Sequence, residues 1–126
     1  MPTHRQGRTS EDDSGAVVVE FALILPILLA LVFGIISFGA AYNTQIALQG
    51  AAREGARALA LGNDPVAAAS GSTGVAITVS PGSGCPDGDS DAFATVTTTR
   101  DVEFRIPFVV IGTKTLTATA SMRCGL

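Results

Sequence analysis

The stretch AVVVEFALILPILLALVFGIISFGAA, residues 16–41, decides the fold of this 126-residue chain. Its only clearly polar side chains are Glu20 and Ser37. As a helix rising about 1.5 Å per residue, the stretch is roughly 39 Å long, enough to cross a hydrocarbon core of about 30 Å with some tilt. It exceeds the hydrophobic region of a secretory signal peptide, which is typically about 7–15 residues long. The stretch therefore predicts a membrane-spanning helix.

The helix is predicted to continue beyond the membrane as far as Leu61. No proline occurs between Tyr42 and Leu61, while the composition changes from Leu, Ile and Val to Ala, Gln and Arg. Gly62 suits the left-handed position after a helix C-terminus. The following Asn63-Asp64-Pro65 supplies capping side chains and a residue that favours a new first turn. We therefore predict one long helix over residues 16–61.

Two features subdivide this long helix. Pro26 removes a backbone hydrogen-bond donor and predicts a kink inside the membrane segment, residues 16–42. The extracytoplasmic continuation, residues 43–61, carries a polar stripe and a small-residue stripe, and the latter permits close helix packing. The polar stripe is Gln45, Gln49, Arg53 and Arg57, and the small-residue stripe is Ala47, Ala51, Gly55 and Ala58.

The sequence after the long helix predicts a small β-sheet domain, residues 62–126. A short helix is predicted over residues 66–70, and a Gly- and Ser-rich loop follows it. Three candidate strands with alternating apolar and polar residues come next. The strands are residues 75–80, 92–106 and 116–122, and the predicted turns are residues 81–91 and 111–114. The predicted fold class is α+β, with a long transmembrane helix followed by a small antiparallel sheet that is apolar on one face.

The polar N-terminus, residues 1–15, has nothing to bury and cannot make a core. Arg5 and Arg8 favour its retention on the cytoplasmic side of the membrane. Arg53 and Arg57, beyond the membrane segment, weaken this asymmetry. The charge distribution therefore favours a cytoplasmic N-terminus only slightly.

The two cysteines give an independent indication of topology. Cys85 lies in a turn-rich segment and Cys124 just after the last candidate strand, so a disulfide between them would pin the C-terminus across the sheet. Closing this loop of about 40 residues stabilises the fold by about 4 kcal/mol in the chain-entropy estimate. Two free thiols in a reducing cytosol are the alternative, but neither has a His or another Cys nearby for metal or redox chemistry. We predict the bridge and, with it, an extracytoplasmic C-terminal domain.

Composition and charge argue against several classes of function. The chain has 8 Lys and Arg residues against 11 Asp and Glu residues, so it lacks the clustered basic surface of a nucleic-acid binder. Its single histidine, His4, lies in the polar N-terminus, and no combination of residues suggests catalysis. We predict no enzymatic activity, no cofactor and no nucleic-acid partner.

Two charged clusters receive a structural interpretation. Asp87, Asp89 and Asp91 alternate as in a calcium loop, but the distal Glu and the full loop length are missing, so we interpret them as a polar turn and predict no metal site. The second cluster is interpreted as a solvated strand face. It consists of Arg100, Asp101, Glu103 and Arg105.

Glu20 is the only charge between Ala16 and Ala52. An acidic residue costs about 2.5–3.5 kcal/mol at mid-membrane and less near the interface. If the chain is cut after Gly15, the new α-amine on Ala16 lies about one helical turn from Glu20. Pairing the two would offset desolvation and favour a staggered register between neighbouring helices. Alternatively, Glu20 lies about a turn inside the membrane and its carboxylate reaches the headgroups. Physical reasoning alone leaves both interpretations open.

Three motifs along the helix carry a family resemblance. They are GAVVVEFALILP at residues 15–26, FGIISFG at residues 33–39 and AAREGAR at residues 51–57. Together they resemble the TadE-like family, which are minor pseudopilins of tight-adherence (Flp) pilus assembly systems and are related to type IV pilins. The resemblance covers residues 15–61, and the Thr-rich ending, residues 116–123, resembles the usual final strand of the family.

The resemblance implies a role for each residue where the leader meets the helix. Gly15 would be the last leader residue and Ala16 the first mature residue, with Glu20 five residues into the mature chain and Phe21 the aromatic that follows it. A prepilin peptidase would cut after Gly15 at the cytoplasmic face of the inner membrane. Other implied partners are pilin and pseudopilin subunits, inner-membrane pilus assembly proteins and membrane lipid. The resemblance thus predicts a single-pass structural protein that contributes to a pilus.

Two other functions remain as alternatives. The first is an uncleaved membrane protein, retaining Met1, whose extracytoplasmic sheet domain is a binding module. The second is a secreted protein with an ordinary signal peptide cut near Gly39-Ala40-Ala41. Glu20 and the length of the apolar stretch argue against the second alternative.

Overall fold

The computed structural model describes residues 1–2, 11–86 and 89–125. The chain divides into two compact units, Met1–Ile35 and Ile36–Leu126. The elements are α1 (Glu11–Ala60), α2 (Pro65–Gly71), β1 (Thr78–Pro81), β2 (Phe93–Ile106) and β3 (Val109–Arg123). The predicted α+β class is confirmed, since a long apolar N-terminal helix precedes a three-stranded antiparallel sheet. Four residues interpreted from the sequence lie outside the described residues, namely His4, Arg5, Arg8 and Asp87.

The helix α1 begins at Glu11, earlier than the predicted start at Ala16. The residues before Ala16 have no core to join, but a helix that is already nucleated extends at little cost because each added residue gains a hydrogen bond. Asp13 also places a negative charge near the helix N-terminus, where the helix dipole favours it. Pro26 lies inside the helix, which continues on both sides of it.

Large apolar side chains of the unit Met1–Ile35 are exposed. Val17, Leu23 and Ile27 are 64%, 70% and 71% accessible. A water-soluble domain does not normally leave so long a continuous apolar surface uncovered. The helix α1 is long and apolar enough to cross a membrane. It is therefore suited to anchor the protein in a membrane.

The end of α1 follows the predicted sequence signals. Gly62 adopts a φ of 73°, the left-handed conformation expected after a helix C-terminus. The amide of Asn63 donates a hydrogen bond to the carbonyl of Ala58 at 2.8 Å, which satisfies one carbonyl left free at the helix end. Asp64 then caps α2 by accepting a hydrogen bond from the amide of Val66 at 2.9 Å. The predicted short helix is confirmed and is one residue longer at each end.

The first strand, β1, begins at Thr78 rather than at residue 75. It pairs antiparallel with β2, and Thr78 lies opposite Thr99. Just before β1, the side chain of Arg100 donates to the carbonyl of Ala76 at 3.0 Å. The carbonyl of Ala76 is thus satisfied by a side chain outside the β1–β2 ladder, which starts two residues later.

The hairpin between β2 and β3 turns at residues 107–108, so the prediction of a turn at residues 111–114 is wrong. Ile111 is instead the extra residue of a bulge, because Phe104 pairs with Gly112 while Arg105 pairs with Val110. The β-branched residues of the segment favour a strand, and a glycine inside a strand often marks a bulge. The strand β3 consequently starts well before residue 116.

The core of the unit Ile36–Leu126 lies between α1 and the sheet. Leu48 and Ala52 from α1 pack with Ala118 from β3, and Leu48 is fully buried. Thr98 is also fully buried, and its hydroxyl donates to the carbonyl of Leu48 at 2.9 Å. Among the described residues, the largest fully buried side chains are Leu48, Val96 and Thr98. Thr98 is the polar one of the three, and this bond satisfies its hydroxyl.

The predicted apolar face of β3 is confirmed. Leu116, Ala118, Ala120 and Met122 are buried or half-buried, whereas the threonines and the serine that alternate with them are exposed. On the exposed face, Thr97 and Thr119 share a hydrogen bond of 3.1 Å across the two strands. The sheet therefore has one face on the helix and one hydroxyl-rich outer face.

The small-residue stripe of α1 packs against the sheet and α2 of the same chain. A Cβ added to Gly55 would lie 3.1 Å from Cγ1 of Val96 and 3.2 Å from Cβ of Ala69. Ala51 and Ala58 are buried as well. The prediction of close packing is thus fulfilled within the chain, so this stripe is not free to contact another helix.

Cys85 and Cys124 form a disulfide, as predicted. Their Cα atoms are 5.6 Å apart, and the two residues are separated by 39 positions in the sequence. The amide of Cys124 also donates to the carbonyl of Ala92 at 2.9 Å. The bridge ties the end of the chain to the loop that precedes β2.

Candidate functional site

The segment with the predicted processing residues lies near the start of α1. The Gly15–Ala16 peptide bond is in the second helical turn, and Gly15, Ala16, Glu20 and Phe21 are exposed. A Cβ added to Gly15 would meet no atom within 4 Å. The segment is therefore accessible from outside the helix.

Gly15 makes this part of the helix locally weak. A glycine inside a helix costs about 1 kcal/mol relative to alanine, and the first turns of a helix fray most readily. A peptidase that needs an extended substrate would have to unwind only the residues before and around Gly15. Gly15 thus places a helix-destabilising residue at the bond whose cleavage was predicted.

Glu20 is one helical turn beyond Ala16. Four residues correspond to about 6 Å along a helix axis. Among residues 1–2, 11–86 and 89–125, no cationic side chain lies within ion-pair distance of the Glu20 carboxylate. An α-amine on Ala16 would supply a cation close to this carboxylate, on the same or a neighbouring helix.

The helix α1 carries no further charge until Arg53. Arg53 and Arg57 are exposed, while Gln45 from the same stripe donates to the carbonyl of Thr117 at 3.0 Å. In the predicted polar stripe, Gln45 therefore contacts the sheet, whereas Arg53 and Arg57 are solvated. Glu20 is the single charge on the long apolar surface.

The comparison with protein families identifies this segment. A family model described as TadE-like protein matches residues 15–57. Over these residues the chain is similar to the TadE-like family. The TadE-like segment begins at the glycine before the predicted cleavage site and covers most of α1. No curated protein and no solved structure matches the chain.

The family and the fold together support a coarse functional statement. A TadE-like segment on a long apolar N-terminal helix fits a membrane protein related to the Tad pilus. TadE-like proteins are structural proteins of such systems and associate with pilus components. The match ends at Arg57, so the α2 and sheet region lies outside it.

The charged residues of the sheet region are arranged as a solvated surface. Glu103 and Arg105 are 3.9 Å apart and largely exposed, a geometry that contributes little stability. The hydroxyl of Thr115 donates to the carboxylate of Asp101. Nothing in these contacts brings a nucleophile, a base and a substrate-binding group together.

The acidic turn is held by its own hydrogen bonds. The carboxylate of Asp89 accepts from the amide of Asp91 at 3.0 Å, and the carboxylate of Asp91 pairs with Arg123. In the described parts of the chain, no group of three or more His, Cys, Asp or Glu side chains could hold a metal ion. Asp87 lies outside those parts.

Sequence reasoning missed one surface, the tip of the β2–β3 hairpin. This hairpin tip, residues 106–111, is apolar and exposed, and Phe108 is 98% accessible. Turns are usually built from Gly, Asn, Asp, Ser and Pro, so the run Pro-Phe-Val-Val-Ile at residues 107–111 is unusual at such a position. That composition was the available signal, but the predicted strand ended at residue 106, the turn was placed at residues 111–114 and residues 107–110 were left unassigned.

Proposed function

We propose that this protein is a minor pseudopilin of a tight-adherence (Flp) pilus. Its leader, residues 1–15, is cytoplasmic, and a prepilin peptidase removes it by cutting after Gly15. The apolar part of α1 then holds the chain in the inner membrane, with the disulfide-bonded sheet domain on the extracytoplasmic side. The observation that carries the proposal is the TadE-like match that begins at Gly15, on a helix whose exposed apolar stretch, residues 16–41, has Glu20 as its sole charge.

The exposed part of α1 is the surface proposed for assembly. Beyond residue 36 the helix is largely occupied by the protein's own sheet, with Leu48 and Ala52 buried. Lateral packing with other pilin-like helices therefore uses the large apolar side chains before residue 36, which are exposed. In the membrane these same side chains contact lipid until a partner helix replaces it.

Glu20 sets the register of that packing in the proposed assembly. Cleavage gives Ala16 an α-amine, and a carboxylate in an apolar environment gains from a nearby cation because both are poorly solvated there. When the amine belongs to one subunit and the carboxylate to its neighbour, only a particular stagger of the two helices brings them together. The pair thus favours one arrangement over others that bury similar apolar area.

Variants of Glu20 test this role. In Glu20→Ala we expect processing to remain largely intact and recovery of the chain in the assembled complex to fall. Glu54→Ala, which removes an exposed carboxylate in the same helix, serves as the matched control and should assemble normally. Normal incorporation of the Glu20→Ala chain would remove the register role. Loss of cleavage in that variant would instead show that the peptidase reads Glu20.

An uncleaved membrane protein with a binding module is the second candidate. One observation favours it, an open groove of about 580 Å³ between α1 and the sheet. Its lining residues include Thr44, Arg100, Asp101 and Glu103. N-terminal sequencing separates the two candidates, because this one retains Met1 whereas the pseudopilin starts at Ala16.

A further inference from the structure

The hairpin tip, residues 106–111, exposes more apolar surface than any other turn of the described sheet region. Phe108 is 98% accessible, Ile111 is 69% and Val109 is 60%. The bulge at Ile111 adds an apolar side chain that has no partner residue across the ladder. An exposed apolar patch of this kind marks a surface that contacts a membrane or another protein.

Two hydrogen bonds show how β2 runs along α1 toward this tip. The hydroxyl of Thr98 donates to the carbonyl of Leu48 at 2.9 Å, and the hydroxyl of Ser37 donates to the carbonyl of Arg105 at 3.2 Å. Between these contacts β2 advances along its sequence while α1 goes backward along its own. Within the unit Ile36–Leu126 the strand therefore runs antiparallel to α1, and the hairpin tip follows Arg105 at the end of this unit where Ser37 lies.

Ser37 lies inside the apolar stretch, residues 16–41. It is four residues, or about 6 Å along the axis, before the end of this stretch. The neighbouring Ile36 and Phe38 are 61% and 70% exposed. The hairpin tip, which follows Arg105, and these helix side chains, which flank Ser37, are therefore both apolar and exposed near the predicted membrane boundary.

The geometry points to the hairpin tip as a second membrane contact of the protein. We propose that residues 106–111 enter the interface of the extracytoplasmic leaflet beside α1. The occupant of this surface is lipid because the tip lies beside helix residues of the apolar stretch that itself predicts the membrane span. This inference rests on the membrane anchoring in the proposed function but not on cleavage after Gly15.

The surroundings of the tip set its depth at the interface. Arg105 and Lys114, on the domain side of the tip, are exposed and have long side chains that extend from an apolar boundary into water. The outer edge of β3 carries backbone groups that hydrocarbon cannot satisfy. The hairpin therefore reaches the level of the headgroups and upper acyl chains, and the rest of the sheet stays in water.

Tryptophan fluorescence tests the inference, since the chain contains no tryptophan. The full chain with Phe108→Trp is reconstituted in vesicles of phosphatidylcholine and phosphatidylglycerol, with and without lipid carrying a doxyl quencher near the headgroup. The matched control is Phe93→Trp at the opposite end of the same hairpin, where Phe93 is 54% exposed and pairs with Arg123. We expect the emission at position 108 to shift to the blue and to be quenched by the doxyl lipid. Emission at position 93 should match that of water-exposed tryptophan and be unaffected by the lipid quencher.

Each contrary result has a distinct meaning. If the chain floats with the vesicles but the two tryptophans behave alike, the lipid contact of the tip is overturned and the anchoring stands. If the emission at position 108 shifts to the blue without lipid quenching, and the shift grows with the protein-to-lipid ratio, the tip contacts a second copy of the chain. That result overturns the lipid contact. If the protein does not float with the vesicles, the membrane anchoring in the proposed function fails as well.

Discussion

The two parts of α1 use hydrophobic residues in opposite ways. Before residue 36 the apolar residues are mostly Leu, Ile, Val and Phe, and they are exposed. After residue 36 the buried residues are mostly alanine, with Leu48 the one large side chain among them that is fully buried. Small side chains let a sheet approach the helix closely, whereas large ones offer contact area to lipid or to partner helices. Side-chain size, rather than hydrophobicity alone, thus separates the exposed part of the helix from the packed part.

The largest expected effect comes from blocking the cleavage that would remove the leader, residues 1–15, from the exposed part of α1. Gly15→Lys places a long charged side chain at the residue before the proposed cut, and we expect complete loss of the mature chain in an immunoblot of the membrane fraction. Gly34→Ala is the control, because a Cβ at Gly34 would also meet no atom within 4 Å. The control should be processed as the parent protein is, and normal maturation of the Gly15→Lys chain would contradict the cleavage proposal.

The second effect belongs to the packed part alone. Replacing both cysteines, Cys85→Ser with Cys124→Ser, removes a cross-link that contributes about 4 kcal/mol to the free energy of unfolding. Denaturation followed by protease resistance of the sheet region measures the loss. Membrane association of the chain should stay unchanged, because the exposed part of α1 does not include either cysteine. Unaltered protease resistance would show that the bridge is dispensable.

Two matched leucine variants test the contrast between the parts directly. Leu48→Ala leaves a cavity under the sheet and should lower the free energy of unfolding of the sheet region by about 3 kcal/mol. Leu28→Ala removes the same atoms from a side chain that is 51% exposed and should leave that free energy unchanged. If the two substitutions change the free energy of unfolding equally in detergent-solubilised protein, the contrast between the exposed and the packed part of α1 is wrong.

The smallest expected effect compares two glycines of the packed part. Gly55→Ala forces Val96 and Ala69 to move and should destabilise the sheet region by about 1–3 kcal/mol. Gly50→Ala meets no atom within 4 Å and should stabilise the helix by about 0.5–1 kcal/mol, because alanine loses less backbone entropy. Thermal unfolding of the two variants checks the opposite signs, and a shift in the same direction for both would argue against close packing at Gly55.

Local sequence signals predicted much of the fold. The end of α1 at Gly62, the cap at Asp64 and the apolar face of β3 follow from capping, glycine conformation and period-two alternation. The pairing of Cys85 with Cys124 was predicted because there are two cysteines, one in the turn-rich segment and one after the last strand. The helix end, the cap and the apolar face depend on residues that are close in sequence. The disulfide depends on pairing two cysteines, which allows a single bridge.

Features that depend on distant contacts were not predicted. The segment around Gly112 has the composition of a turn, and only the register of β3 against β2 shows that it belongs to a strand with a bulge. The partner of Gly55 could not be read from a stripe of small residues, because another helix and a sheet both fit such a stripe. At the candidate site, Gly15 and Glu20 are sequence-based predictions, whereas the apolar tip around Phe108 is evident only from the hairpin geometry.

The central claim is that the exposed apolar part of α1 becomes the start of a mature chain. The intact mass of the protein extracted from membranes of its own cells tests it most directly. The account predicts a mass that corresponds to residues 16–126, with Ala16 at the N-terminus. A mass that includes residues 1–15 would contradict the account, since Glu20 would then have no new α-amine within a helical turn.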